Sequence, residues 1–111
     1  MGSTETIARG YQGVTRESEI EASMRKQLLA RGCLVWKFVS PGTAGVPDRI
    51  VILPNGVIYF VEMKSDRGTA DDRQKYRAEQ LLAHGCNHRF VKGCKSVERF
   101  IQEVDDAIRT T

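Results

Sequence analysis

RIVILPNGVIYFVEMK, residues 49–64, is the stretch from which the fold is read. Arg49 to Leu53 and Val57 to Lys64 are runs of β-branched and aromatic residues, and Pro54-Asn55-Gly56 between them contains the Asn-Gly step of a hairpin. The two runs are therefore expected to be antiparallel neighbours. Val57 to Val61 reads as a strand buried on both faces, yet it continues directly into Glu62-Met63-Lys64. Side chains alternate along a strand, so Glu62 and Lys64 share one face and Met63 takes the other. An acid and a base thus stand together where a central strand should be apolar.

Upstream of this segment, Ser40 to Pro47 (SPGTAGVP) must be a loop, since Pro41 and Pro47 restrict the backbone while Gly42 and Gly45 permit unusual turns. Cys33 to Phe38 (CLVWKF) is too short for a helix and rich enough in Val and aromatics for a strand. Before it, Ile20, Met24 and Leu28 recur at helical spacing until Gly32, with Ser18 and Glu21 in the pattern of a capping box. Downstream, a polar loop from Ser65 to Asp71 leads to a helix of about 14 residues ending at Gly85, with Gln74, Ala78, Leu81 and Leu82 on one face. A short strand, His88 to Lys92, follows, and Val97, Phe100, Ile101, Val104 and Ile108 mark the last helix. The order is αβββαβα, an α/β domain over 15–111 preceded by a loose, glycine-containing arm, 1–14.

The chain has 111 residues, 41% of them hydrophobic, which suits one domain rather than two. No stretch approaches the roughly 20 apolar residues of a membrane span, and Met1 to Gly13 lacks a secretory apolar run, so a cytoplasmic setting is expected. Three cysteines, Cys33, Cys86 and Cys94, contain no Cys-x-x-Cys pair and read as buried thiols. His84, Cys86, His88 and Cys94 match none of the usual structural-zinc spacings and are taken as strand and turn residues. The net charge of +3 is small, but Lys64 to Arg99 holds nine basic residues against five acidic, a surplus that a phosphate backbone could use. There is no phosphate-binding Gly-x-x-x-x-Gly-Lys-Ser/Thr loop and no Gly-x-Ser-x-Gly elbow, so neither a nucleotide cofactor nor serine hydrolysis is indicated. Most of the aromatic residues read as core, which speaks against a platform for stacking single strands.

Asp48 enters the first strand of the hairpin, so pairing brings it toward Glu62. Two carboxylates and an ammonium then converge, and hard oxygen ligands of this kind suit Mg²⁺ or Mn²⁺. The sequence resembles the PD-(D/E)XK nuclease superfamily, and more closely the VRR-NUC (virus-type replication-repair nuclease) family. The resemblance covers roughly Glu17 to Val91 and rests on Glu17-x-x-Ile20-Glu21, Phe38-x-Ser40-Pro41-Gly42, Gly45-x-Pro47-Asp48-Arg49, Phe60-Val61-Glu62-x-Lys64 and Gln74. It implies a restriction-endonuclease-like core, a central mixed sheet flanked by helices, and a Mg²⁺- or Mn²⁺-dependent DNA endonuclease. Asp48, Glu62 and the backbone carbonyl of Met63 would be metal ligands, and Lys64 would orient the attacking water and stabilise charge on the phosphate. Glu21 would be the additional carboxylate from the first helix, with Glu17 one turn earlier as its rival. Ser40, Gly42, Arg49 and Gln74 would lie near the scissile strand. Stand-alone members resemble Holliday junction resolvases, which implies branched DNA as substrate, a homodimer, and a bacterial or phage-host cell as the setting.

Overall fold

In a computed structural model, which describes residues 16–110, segment 49–64 folds into the expected hairpin. Strand β2 (Arg49–Ile52) runs antiparallel to β3 (Ile58–Lys64), with Arg49 opposite Val61 and Ile52 opposite Ile58. Leu53 and Val57 close the loop through a Leu53 N–H to Val57 carbonyl bond of 2.8 Å, and Gly56 takes a left-handed φ of 90°. A three-residue connection with glycine in that conformation matches the twist of the two strands.

Strand β1 (Leu34–Lys37) pairs antiparallel with β2 on one side. On the other side β4 (Asn87–Lys92) pairs parallel with β3, giving the order β1-β2-β3-β4. A parallel neighbour needs a crossover, and helix α2 (Asp72–Ala83) supplies it. Helices α1 (Glu17–Ala30) and α3 (Gly93–Arg109) open and close the domain and pack against each other. The expected order αβββαβα around a mixed sheet is the observed one.

Strand alternation divides the molecule. Val35, Val51, Tyr59, Val61, Met63 and Val91 face α1 and α3, where they meet Ile20, Met24, Leu28, Val97, Phe100, Ile101 and Val104 in one buried cluster. Each such side chain contributes roughly 1.5–3 kcal/mol of hydrophobic stabilisation. On the opposite face α2 packs against β4 and reaches β3 through Gln74, while Leu34 and Trp36 of β1 stay exposed.

Several local expectations change. Helix α1 begins at Glu17, so Ser18 lies within its first turn and does not cap it. The Arg16 N–H instead donates to the Glu19 carboxylate, at 3.3 Å, and Glu21 is left to other partners. The capping box that does form is at α2, where Asp71 and Gln74 exchange bonds of 2.8 and 3.0 Å. Leu82 is exposed rather than facing inward with Ala78, because α2 covers only part of the sheet. Trp36 and Phe90 on the strands and Tyr76 on α2 are likewise exposed, as is Ile58, so the aromatics are less committed to the core than expected and β3 is not buried on both faces. Of the three thiols only Cys33 is buried, and Cys94 is exposed. The expected arm, residues 1–14, lies outside the described residues. No helix among the described residues is long and apolar enough to cross a membrane.

Candidate active site

The site grows from the hairpin register. Continuing the β2–β3 pairing by one residue beyond Arg49 and Val61 sets Asp48 opposite Glu62. Asp48 Oδ1 accepts the Met63 N–H at 3.3 Å, which ties the head of one strand to the tail of the other. Buried Pro47 holds the backbone just before Asp48, and the Phe38 N–H donates to the Asp48 carbonyl at 2.9 Å. Glu62 and Lys64 share a face as alternation requires, with Lys64 Nζ 3.7 Å from Glu62 Oε2, while Met63 points into the core at 1% exposure.

Glu62 is only 4% exposed, although it carries a charge-bearing group. Its Oε2 accepts from Gln74 Nε2 at 2.8 Å, and its Oε1 is buried without a hydrogen-bond partner. Burial first, and then the neighbouring Asp48 carboxylate, push the Glu62 carboxyl up to about 7, with Lys64 pulling the other way. The Asp48 carboxyl is also raised, chiefly by burial, against the lowering effect of Arg49 and the Met63 N–H. Two acids that destabilise each other's charge, one with an orphaned oxygen, form a place where a cation would be gained at low cost. The donors are carboxylate oxygens, so the fit is to Mg²⁺ or Mn²⁺ rather than to a softer metal. Among the described residues no three His, Cys, Asp or Glu side chains converge to hold a metal by themselves. A cation here would have to draw its remaining ligands from backbone carbonyls, water or substrate, as Mg²⁺ commonly does.

The two acids of α1 separate. Glu21 Oε2 accepts from Arg49 Nε at 3.0 Å, on the side of the sheet that faces α1. Glu17, one turn earlier, is the helix acid whose charge raises both Asp48 and Glu62. Arg49 is occupied by Glu21 and by the carbonyl of Asp48, at 2.9 Å, so it braces α1 against the strand instead of reaching outward. Gln74 does point into the site, and it does so as the capping residue of α2, which fixes its amide on Glu62.

In the loop before β2, Gly42 is exposed with open space around it, and the Ser40 carbonyl accepts the Thr43 N–H at 3.1 Å. The close approach that a glycine permits occurs at Gly45, and its target is α2. At a φ of 86°, an added Cβ would lie 2.6 Å from the Arg73 carbonyl carbon and oxygen. Arg77 Nε donates to the Ala44 carbonyl at 2.9 Å and completes the clamp. Sequence reasoning counted Arg77 only among the basic residues of 64–99, because its partner is a backbone atom 33 residues away. The four residues His84, Cys86, His88 and Cys94 disperse: His84 Nδ1 lies 2.7 Å from the Gln80 carbonyl, and His88 is buried against the Phe90 ring.

No family model matches the chain. A protein of Acyrthosiphon pisum secondary endosymbiont phage 1 named "Putative nuclease p44" is 52% identical over 70 residues, which cover 63% of this chain and 75% of that protein. A solved VRR-NUC domain superposes with a TM-score of 0.73 at 37% identity, covering 79% of this chain and 96% of the other. The shared architecture is a mixed four-stranded sheet with flanking helices, the restriction-endonuclease-like core. With the sequence likeness and the fold in agreement over most of both relatives, the chain belongs to the VRR-NUC family of nucleases.

Proposed function

We propose that this nuclease is a metal-dependent DNA endonuclease that hydrolyses phosphodiester bonds with water as nucleophile, acting as a homodimer on branched DNA of the four-way-junction type. The observation that carries the reading is Glu62: a buried carboxylate with an orphaned oxygen, opposite Asp48 and 3.7 Å from Lys64 Nζ. Such a group is costly to keep unless a cation completes it.

Asp48, Glu62 and the Met63 carbonyl would hold Mg²⁺ or Mn²⁺, and Glu17 is the helix acid nearest in effect. Glu21 would have to leave Arg49 to take that role. When bound, the metal supplies polarisation of the phosphate and a more acidic water. Lys64 brings a compact positive charge to where negative charge develops on the phosphate. Gln74 holds one oxygen of Glu62, and the other, which has no hydrogen-bond partner, is the one that would bind the cation.

A single domain provides one such site, and symmetric incision of a junction needs two, which a twofold dimer supplies. The last helix has no apolar stripe to spare for that interface, because Val97, Phe100, Ile101 and Val104 are all buried within the domain. Leu34 and Trp36 on β1, with Val39 just after it, are exposed and have the right character. That Cys33, Cys86 and Cys94 form no disulfide accords with a reducing, cytoplasmic setting in a bacterial or phage-host cell.

The test compares cleavage of an immobile four-way junction with that of its linear arms, in Mg²⁺, Mn²⁺ and EDTA, with Lys64→Ala alongside. Paired, metal-dependent incisions confined to the junction support the proposal. Equal cutting of linear DNA makes the protein a general or flap-type nuclease, and binding without any cutting makes it a silent DNA-binding module.

A further inference from the structure

Beside the acidic site, between α2 and the face of the sheet that carries Glu62, lies a cleft of about 350 Å³. Phe38, Pro47, Phe60 and Leu81 line it, joined by Arg77 and Gln80 from α2. The two phenyl rings are 6.1 Å apart between centroids and inclined at 53°. Apolar walls with a few placed polar groups, at the small end of the range of about 300–1,000 Å³, are the usual form of a pocket for a small organic group.

Its position selects the group. Pro47 directly precedes Asp48, and Phe38 donates its backbone N–H to the Asp48 carbonyl. Phe60 is two residues before Glu62 on the same face of the same strand, a separation of about 7 Å. That distance is comparable to one nucleotide step of an unstacked strand. Arg77 is held at the cleft by its bonds to the Ala44 carbonyl and to Gln80 Oε1, at 2.9 and 2.8 Å, so its charge is already in place for a nucleotide. A base within a duplex is stacked and paired on both sides and cannot enter such a cleft without leaving the helix.

We propose that the Phe38–Phe60 cleft binds a nucleobase that leaves its pair at a branch point, adjacent to the phosphate that Lys64 and a cation on Asp48 and Glu62 would hold, and so selects DNA in which a base is most easily unpaired. The inference rests on the reading of that acidic cluster as the phosphodiester site. It assigns the preference for branched DNA to a pocket in each subunit, independent of how two subunits are spaced.

The experiment measures binding of the protein, with Ca²⁺ in place of Mg²⁺ so that a cation is present, to an immobile four-way junction, intact or with one branch-point nucleotide at a time made abasic. Wild type is compared with Leu81→Trp, which fills the cleft from α2, and with Phe38→Ala, which removes one wall. Circular dichroism confirms that each variant is folded. Loss of the base is expected to weaken wild-type binding about tenfold at one branch-point position, the scale of one stacked base, and to cost the filled variant nothing further. Should base removal cost wild type nothing at every position, or cost Leu81→Trp and Phe38→Ala as much as wild type, the pocket is not the receptor. Lys64→Ala separates the two ideas: it is expected to lose cutting and, whatever its overall affinity, to keep the same fold-dependence of binding on the base. A protein that cuts the junction but ignores base removal loses the pocket and keeps the nuclease reading. One that neither binds nor cuts loses both.

Discussion

The two faces of the sheet are built from the same strands and meet different fates. On one, Val35, Val51, Tyr59, Val61, Met63 and Val91 are sealed beneath α1 and α3. On the other, α2 covers only the β4 side, and the face holds Glu62, Lys64, the open aromatic cleft and the exposed Leu34 and Trp36. Alternation places the two regimes one residue apart, at Glu62, Met63 and Lys64. A protein this small can hold a buried carboxylate with an unpaired oxygen because the opposite face supplies the stability. Core burial and site chemistry are thereby insulated, each on its own side of one β-strand.

The sharpest way to break this comparison is to substitute adjacent residues. Lys64→Ala is expected to lower cleavage by about 10²–10³-fold with little change in melting temperature. Met63→Ala, the next residue along, is expected to cost about 2–5 kcal/mol of stability through the cavity it leaves. Parallel cleavage assays and thermal melts check both, and equal destabilisation by the two would refute the division of faces. Asp48→Ala and Glu62→Ala are also expected to abolish cutting. Glu62, however, is buried rather than peripheral, so its alanine variant opens a void and lowers stability as well.

Removing the charge while keeping the shape sharpens the point. With its carboxyl pushed up from 4.5 to about 7, the folded protein holds the Glu62 proton more tightly than the unfolded chain does between those values. Stability from this group is therefore present at low pH, falls as pH rises across that window and levels off above it. Buried His88, whose ring is depressed by burial and by Arg89, changes in the opposite sense. Glu62→Gln cancels the first effect and leaves the second, so without metal it is expected to exceed wild type by about 1–3 kcal/mol at pH 8 and by little at pH 4.5. Denaturant melts at the two pH values measure this, and Mg²⁺ at pH 8 is expected to stabilise wild type more than the variant.

Gly45→Ala tests the contact that holds the loop before Asp48 against α2. A left-handed φ and a Cβ pressed on the Arg73 carbonyl are expected to cost about 1–3 kcal/mol, with a matching drop in thermal midpoint. The smallest effect belongs to the open face: Trp36→Ser, at a side chain 55% exposed, is expected to change monomer stability by no more than about 0.5 kcal/mol. Light scattering on the same variant asks whether that surface joins two copies.

The hairpin, the alternation of Glu62, Met63 and Lys64, the apolar stripes of α1 and α3 and the chain order were legible in the sequence, because each depends on residues within a turn or a few positions of one another. Asp48 was legible as a partner of Glu62 for the same reason, since one short turn sets the register between them. Tertiary structure decided the rest. It placed Glu21 on Arg49, left Glu17 to influence the two carboxylates, turned Gln74 into a brace for Glu62, and pressed Gly45 on α2. Each of those outcomes depends on where one element's end lies against another, which local periodicity does not encode. Periodicity says which residues turn inward, but only packing says what they meet.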